Sequence, residues 1–186
     1  GCDPGTYKNA SSLGDCIQCA SGWYSDSQNS ESCKKCPLGY YANNIASPDG
    51  IIRYDVCPSC PRGTLGIKQQ AKNLLNGCKN CTSGRFSEFE GSDDSDCKGC
   101  PKGKWSSSIG ATKESECTNC GTGKYGTNNV GANAESLCTN CAQGRFLDMV
   151  GSFGNEHCLL CPLGFVQNVT GQAFCLPCTP GKFNHQ

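Results

Sequence analysis

Apolar residues come singly in this chain, on a short and regular beat. An aromatic recurs at Tyr24, Tyr41, Phe86, Trp105, Tyr125, Phe146 and Phe183. A second apolar residue often follows a few positions later: Ile45, Phe89, Ile109, Val130, Val150 and Val169. Ser, Asn, Gly, Asp and Thr fill the spaces between them. One aromatic and one aliphatic per period predict a small two-stranded ribbon, with exposed turns around it. One segment has a different period. Ile67, Ala71, Leu74 and Leu75 fall at helical spacing, and Asn76-Gly77 is a stop signal, so a short helix is expected from about 67 to 75.

Cysteine sets the beat. The chain of 186 residues holds 19 cysteines, a density that signals a disulfide scaffold in an oxidising compartment. Eighteen of them form Cys-x-x-Cys pairs: Cys16/Cys19, Cys33/Cys36, Cys57/Cys60, Cys78/Cys81, Cys97/Cys100, Cys117/Cys120, Cys138/Cys141, Cys158/Cys161 and Cys175/Cys178. Successive pairs are 17 to 24 residues apart. Three residues after each second cysteine stands a glycine (Gly22, Gly39, Gly63, Gly84, Gly103, Gly123, Gly144, Gly164, Gly181), and the aromatic comes two later. Leu65 and Val166 replace the aromatic in two copies. Pro at 37, 61, 101 and 162 opens the turn that the glycine completes. Cys2, with Gly5 and Tyr7, repeats the same phrase without a first cysteine, which reads as a cut end of a longer array. A free or intermolecular thiol at Cys2 is the alternative. The longest interval, Cys36 to Cys57, carries Ser47-Pro48-Asp49-Gly50 and is expected to protrude as a loop.

Three chemistries use Cys-x-x-Cys. Structural disulfides could run from the second cysteine of one pair to the first of the next. They would then be Cys2–Cys16, Cys19–Cys33, Cys36–Cys57, Cys60–Cys78, Cys81–Cys97, Cys100–Cys117, Cys120–Cys138, Cys141–Cys158 and Cys161–Cys175, leaving Cys178 over. Each loop would contribute about 3 kcal/mol by chain entropy, replacing a core that this composition does not supply. The rival connectivity joins first to first and second to second, and spacing leaves both open. Zinc ribbons use similar spacing, but nine pairs would leave one over. A redox pair needs a helix N-terminus to lower a thiol pKa, and no such context surrounds these copies. No metal site or cofactor is expected.

Charge and motifs narrow the function further. Sixteen basic residues balance 16 acidic ones, without long runs of one sign, so no nucleic-acid footprint or polybasic membrane segment is expected. No apolar run reaches the length of a membrane span. His157 and His185 lack a matched acid or nucleophile in sequence, and read as solvated loop residues. Asp93, Asp94 and Asp96 form an acidic knot whose spacing is not that of an EF-hand. Asn9-Ala10-Ser11, Asn80-Cys81-Thr82 and Asn168-Val169-Thr170 are candidate N-glycan acceptors. Asn80 is the weakest, because it sits inside a Cys-x-x-Cys phrase.

The phrase Cys117-Thr118-Asn119-Cys120-Gly121-Thr122-Gly123-Lys124-Tyr125 resembles the ephrin-receptor-like cysteine-rich repeat. More loosely, it is similar to the tumour-necrosis-factor-receptor modules and to arrays on protist and algal surface proteins. The resemblance covers essentially the whole chain. It implies sequential staples and an elongated rod. It carries over no kinase, ephrin-binding or death-ligand residue, because no matching motif is present. The expected fold is small and disulfide-rich: tandem cysteine-rich repeats of about 20 residues with short β-ribbons, each touching mainly its neighbours. Residues 1–186 should form one continuous array, with modules 2–16, 19–33, 36–57, 60–78, 81–97, 100–117, 120–138, 141–158 and 161–175. The expected role is a structural segment of an extracellular, glycosylated surface or fibre-forming protein, with self-association into fibres or a coat, and no enzyme activity. The alternative is a receptor ectodomain that captures a protein through the atypical region 37–77.

Overall fold

A computed structural model describes residues 1–9, 14–42, 54–93, 97–126 and 130–182. Ile45, the expected loop at 47–50, Ser11, Asp94, Asp96, Phe183 and His185 lie outside the described residues. The chain forms two compact units. One comprises Gly1–Cys81 and Ser87–Cys97, the other Thr82–Phe86 and Lys98–Gln186.

Each module begins with a tight turn. In the module opened by Cys100, the amide of Lys104 donates to the carbonyl of Pro101 (3.1 Å). Gly103 stands at the third turn position with φ +76°, a conformation that costs a side-chain-bearing residue about 1–2 kcal/mol. The other plus-three glycines share that sign of φ. The chain then runs extended for two or three residues and pairs antiparallel with the next Cys-x-x-Cys. Lys104–Trp105 pairs with Thr118–Asn119, and Arg145–Phe146 with Leu159–Leu160. Eight such ribbons occur among the described residues, and a single bridge, Tyr40 to Ser59, stands in for the ninth. One further bond closes every module: the amide of the second cysteine donates back to the plus-three glycine carbonyl, as from Cys120 to Gly103 (2.8 Å).

The ribbon therefore differs in composition from the expected one. Its second strand is the pair of residues between two cysteines, not the stretch around the second apolar residue. Phe89, Ile109, Val130, Val150 and Val169 are 57–70% exposed. The Cys-x-x-Cys stretch is fixed at both ends by sulfur, so it offers a preformed extended edge. The free loop that follows the aromatic has no comparable anchor.

The core consists of sulfur and small side chains. Most of the buried apolar residues are cysteines, joined by Ala42, Ala71, Phe86, Ala111 and Leu147. Two positions form the seam between modules. The residue six after the second cysteine is buried at Ser25, Ala42, Gly66, Ser87, Ser106, Gly126, Leu147 and Gln167. Its amide donates to a carbonyl of the next module: Ala42 to Ala71 (2.8 Å), Ser106 to Ala132 (3.0 Å), Leu147 to Gln172 (3.1 Å). Where that seam is polar it is satisfied internally, as in Ser25 Oγ to Ser30 Oγ (2.7 Å) and the Ser87–Ser92 hydroxyl pair (2.9 Å), as a buried hydroxyl requires.

Contact reaches past the nearest neighbour. A Cβ on Gly103 would fall on the carbonyl oxygen of Gly151, which lies two modules on. Gly84 meets Gly131, and Gly123 meets Gly171, in the same way. Within the other unit Gly39 meets Gly91. Each of these turns thus packs backbone against backbone on the module after next. A scheme of nearest-neighbour contacts alone does not describe that packing.

The expected helix at 67–75 is reduced to Leu74–Gly77, capped by Asn73, whose Oδ1 accepts from the Asn76 amide (2.9 Å). The residues before it are engaged elsewhere. The Ile67 amide donates to Gly77, the Gln70 amide to Cys36, and Ala71 bridges Tyr41 in parallel. Gln70 has φ 58°, which no helix interior tolerates. Ile67 and Leu75 are 49% and 86% exposed, so their helical spacing marks no buried face.

Candidate functional site

The groups that repeat with full regularity are the staples. Nine disulfides join Cys2–Cys16, Cys19–Cys33, Cys36–Cys57, Cys60–Cys78, Cys81–Cys97, Cys100–Cys117, Cys120–Cys138, Cys141–Cys158 and Cys161–Cys175. This is the sequential arrangement, with Cα separations of 5.5–5.8 Å, inside the range that a bridge spans without backbone movement. Cys178 is half-buried and joins none of these nine bridges. Sulfurs held in disulfides offer no thiolate to zinc or to thiol exchange. Among the described residues, no three His, Cys, Asp or Glu side chains converge on a point that could hold a metal ion.

The aromatics cover sulfur, one module ahead. Phe86 is 4% exposed and packs with Cys100, Ala111 and Cys117, the next disulfide along. Tyr24 packs on Cys36, Ala42 and Cys57, and Tyr125 on Cys141, Leu147 and Cys158. Each ring thereby couples its own ribbon to the neighbouring staple. The plus-six position and the residue eleven after the second cysteine, buried at Ala71, Ser92, Ala111 and Ser152, complete that seam. Sequence reading missed them because their identities vary, although their spacing from cysteine does not.

Charged groups decorate the modules without converging. Lys104 Nζ meets Glu114 Oε1 at 3.0 Å, and Lys124 meets Glu135 at the same distance in the next module. Asp26 and Lys34 pair at 2.9 Å in solvent. Their hydrogen bond holds the carboxyl below its usual range and raises the amine. Glu116 Oε1 accepts from the Thr112 amide (2.9 Å) and the Thr112 hydroxyl (2.8 Å), and these bonds lower its pKa. A depression of about 300 Å³ is lined by Tyr125, Arg145 and Glu156, but the Arg145 guanidinium already donates to the Cys158 carbonyl (2.6 Å).

His157 is not the solvated loop residue expected from sequence. It ends a 3₁₀ turn, Asn155–His157, and its ring stands edge-on to Phe153 at 5.3 Å. Its Nδ1 is buried without a hydrogen-bond partner, 3.8 Å from Glu156 Oε1. Packing against Phe153 is what holds it there. Of the sequon asparagines, Asn9 and Asn168 are exposed in irregular segments, whereas Asn80 is exposed on a strand and pairs with Thr64. Asp93 is exposed, and its two acidic neighbours are not among the described residues. In the region 37–77, Val56, Ile67 and Leu75 present apolar surface, Leu75 from the helix Leu74–Gly77. No helix among the described residues is long and apolar enough to cross a membrane.

The family model described as tyrosine-protein kinase ephrin type A/B receptor-like matches residues 151–186. Over that stretch the chain resembles the ephrin-receptor-like repeat. That stretch contains the last complete module, Cys161–Cys175, and its ribbon. The chain is also similar to the rat (Rattus norvegicus) protein named Sushi, von Willebrand factor type A, EGF and pentraxin domain-containing protein 1, at 31% identity over 132 residues. That alignment covers 70% of this chain and 3% of the relative's own length. Both comparisons point to extracellular-type cysteine-rich modules. The ephrin-receptor-like phrase therefore agrees with the staples in describing small, disulfide-rich tandem repeats.

Proposed function

We propose that this chain is a structural repeat segment of an extracellular, glycosylated cell-surface or fibre-forming protein. One observation carries the reading. The same seam recurs from module to module: a positive-φ glycine against the backbone two modules on, a ring on the next disulfide, and a small plus-six residue bonded across. Packing of this kind between modules supports a structural role.

The test uses the purified, disulfide-intact chain. Light scattering across a concentration series and negative-stain imaging should show ordered self-assembly, with no saturable soluble ligand. A monomeric chain that captures one protein stoichiometrically would overturn the reading. The second reading, a receptor ectodomain, is favoured by the apolar surface at Val56, Ile67 and Leu75 in the region 37–77. It would then be expected that Leu75→Asp abolishes that capture.

A further inference from the structure

We propose that an N-linked glycan on Asn168 covers the apolar surface of the module closed by Cys161–Cys175. The inference rests on the extracellular, glycosylated reading given above and deepens it. Residues 158–181 contain no Asp, Glu, Lys, Arg or His, whereas every other module carries charge. Within this uncharged stretch Leu163 is 79% exposed, Phe174 60%, Val169 57% and Phe165 39%, flanked by Leu159 and Leu176 at 53%. One disulfide loop with a sequence separation of 14 holds the central four residues.

The sequon within this stretch selects the occupant. Its turn is fixed by Gln167, a side chain only 5% exposed. The Gln167 amide donates to the Phe174 carbonyl (2.8 Å), and its oxygen accepts from the Val169 amide (3.1 Å). Gln143 adds a bond to the Asn168 carbonyl (2.7 Å). The backbone at Asn168 is thus tied to Phe174 while the asparagine itself stays exposed. A glycan attached there starts beside Val169 and Phe174. Sugar rings present C–H faces to such side chains and hydroxyls to water, which suits a surface that has apolar groups and no charges.

The experiment secretes the full chain from a eukaryotic host and maps glycopeptides by mass spectrometry. Fluorescence of the apolar dye ANS is then compared for the native protein, the enzymatically deglycosylated protein, and the variants Asn168→Gln, Thr170→Ala and Asn9→Gln. Asn168 should be occupied. Loss of its glycan by any of the three routes should raise ANS fluorescence severalfold, and Asn9→Gln should leave it unchanged. An occupied Asn9 beside a bare Asn168 would overturn this inference alone. So would an occupied Asn168 whose removal leaves ANS unchanged, or an Asn168→Gln chain that forms a stoichiometric dimer through the uncovered face. If no sequon is occupied, the glycosylated reading falls, and the inference falls with it.

Discussion

Two glycines separate the cost of backbone strain from the cost of packing between modules. Gly103 and Gly131 both hold positive φ, +76° and +84°. A Cβ on Gly131 meets only ordinary contacts at 3.7 Å, whereas one on Gly103 falls on the backbone of Gly151 and Ser152. Gly131→Ala therefore carries only left-handed strain, about 1–2 kcal/mol. Gly103→Ala carries that strain and also an overpacking cost of about 1–3 kcal/mol, since neither backbone can yield without moving its module. A third glycine supplies the missing corner. Gly126 has no positive φ, yet its Cβ would strike Gly103, so Gly126→Ala carries the packing cost alone.

The sulfur staples keep the chain folded in all three variants, so the readout must be local. Native-state amide exchange serves, followed at the Gly151 amide, which donates to Cys120 (2.8 Å), and at the Gly126 amide, which donates to Ser152 (2.8 Å). At about 1.4 kcal/mol per decade, Gly103→Ala should speed exchange at Gly151 by at least about thirtyfold. Gly131→Ala should leave Gly151 within a few-fold of the parent and act beside its own turn, at the Ser106 amide that donates to Ala132 (3.0 Å). Equal local effects for Gly103→Ala and Gly131→Ala would refute the reasoning. Strain would then account for everything, and the contact two modules away would contribute nothing.

Three further outcomes follow from the same geometry. Removing one staple as the pair Cys100→Ala and Cys117→Ala should cost about 3 kcal/mol and expose Phe86. Limited proteolysis should then cut within 100–117 before any other module. Phe86→Ala should cost about 3 kcal/mol, because the ring is buried on that disulfide, and faster exchange at the Cys117 amide would report it. Glu116 has a folded pKa below its ordinary 4.5, so its contribution is present above about pH 4.5 and is lost as pH falls through the folded value. Thr112 amide exchange, corrected for intrinsic rates, should accelerate over that descent, and Glu116→Gln should flatten the profile.

The repeating phrase made the staples, the turns and the short ribbons legible, because each depends on a residue type that cannot be replaced. Sulfur closes the loop and glycine accepts positive φ, so Cys and Gly recur in place. The plus-six position was not legible because it is defined by its surroundings rather than its chemistry. Ser25, Ala42, Gly66, Leu147 and Gln167 all fit there, provided that each fills or satisfies the local gap. The second apolar residue misled for the opposite reason. Ile109 and Val150 recur like core positions, yet a module of this size has no interior left once the disulfide and ring are placed. A lone exposed aliphatic carries little cost there. The helical spacing at 67–75 misled because Gln70 and Ala71 are claimed by the preceding module, and tertiary pairing overrides local period.

Ribbon length shows how the plus-six residue acts on the fold. Most ribbons have two pairs, but Thr64–Gly66 and Lys124–Gly126 have three, and these strands alone end in a plus-six glycine. Their third pairs are Gly66 with Cys78 and Gly126 with Cys138. Both modules have a cysteine separation of 18. With no Cβ, the strand settles against the plus-three glycine of the preceding module, Gly39 or Gly103, and stays extended long enough to reach the first cysteine. Where Ser, Leu or Gln stands instead, the side chain fills that gap and the ribbon stops one pair short. The plus-six residue thus sets two quantities together: how closely a module approaches the one before it, and how firmly its own strand is joined to the staple. A change there would alter the contact between modules and the strand pairing within one module at once.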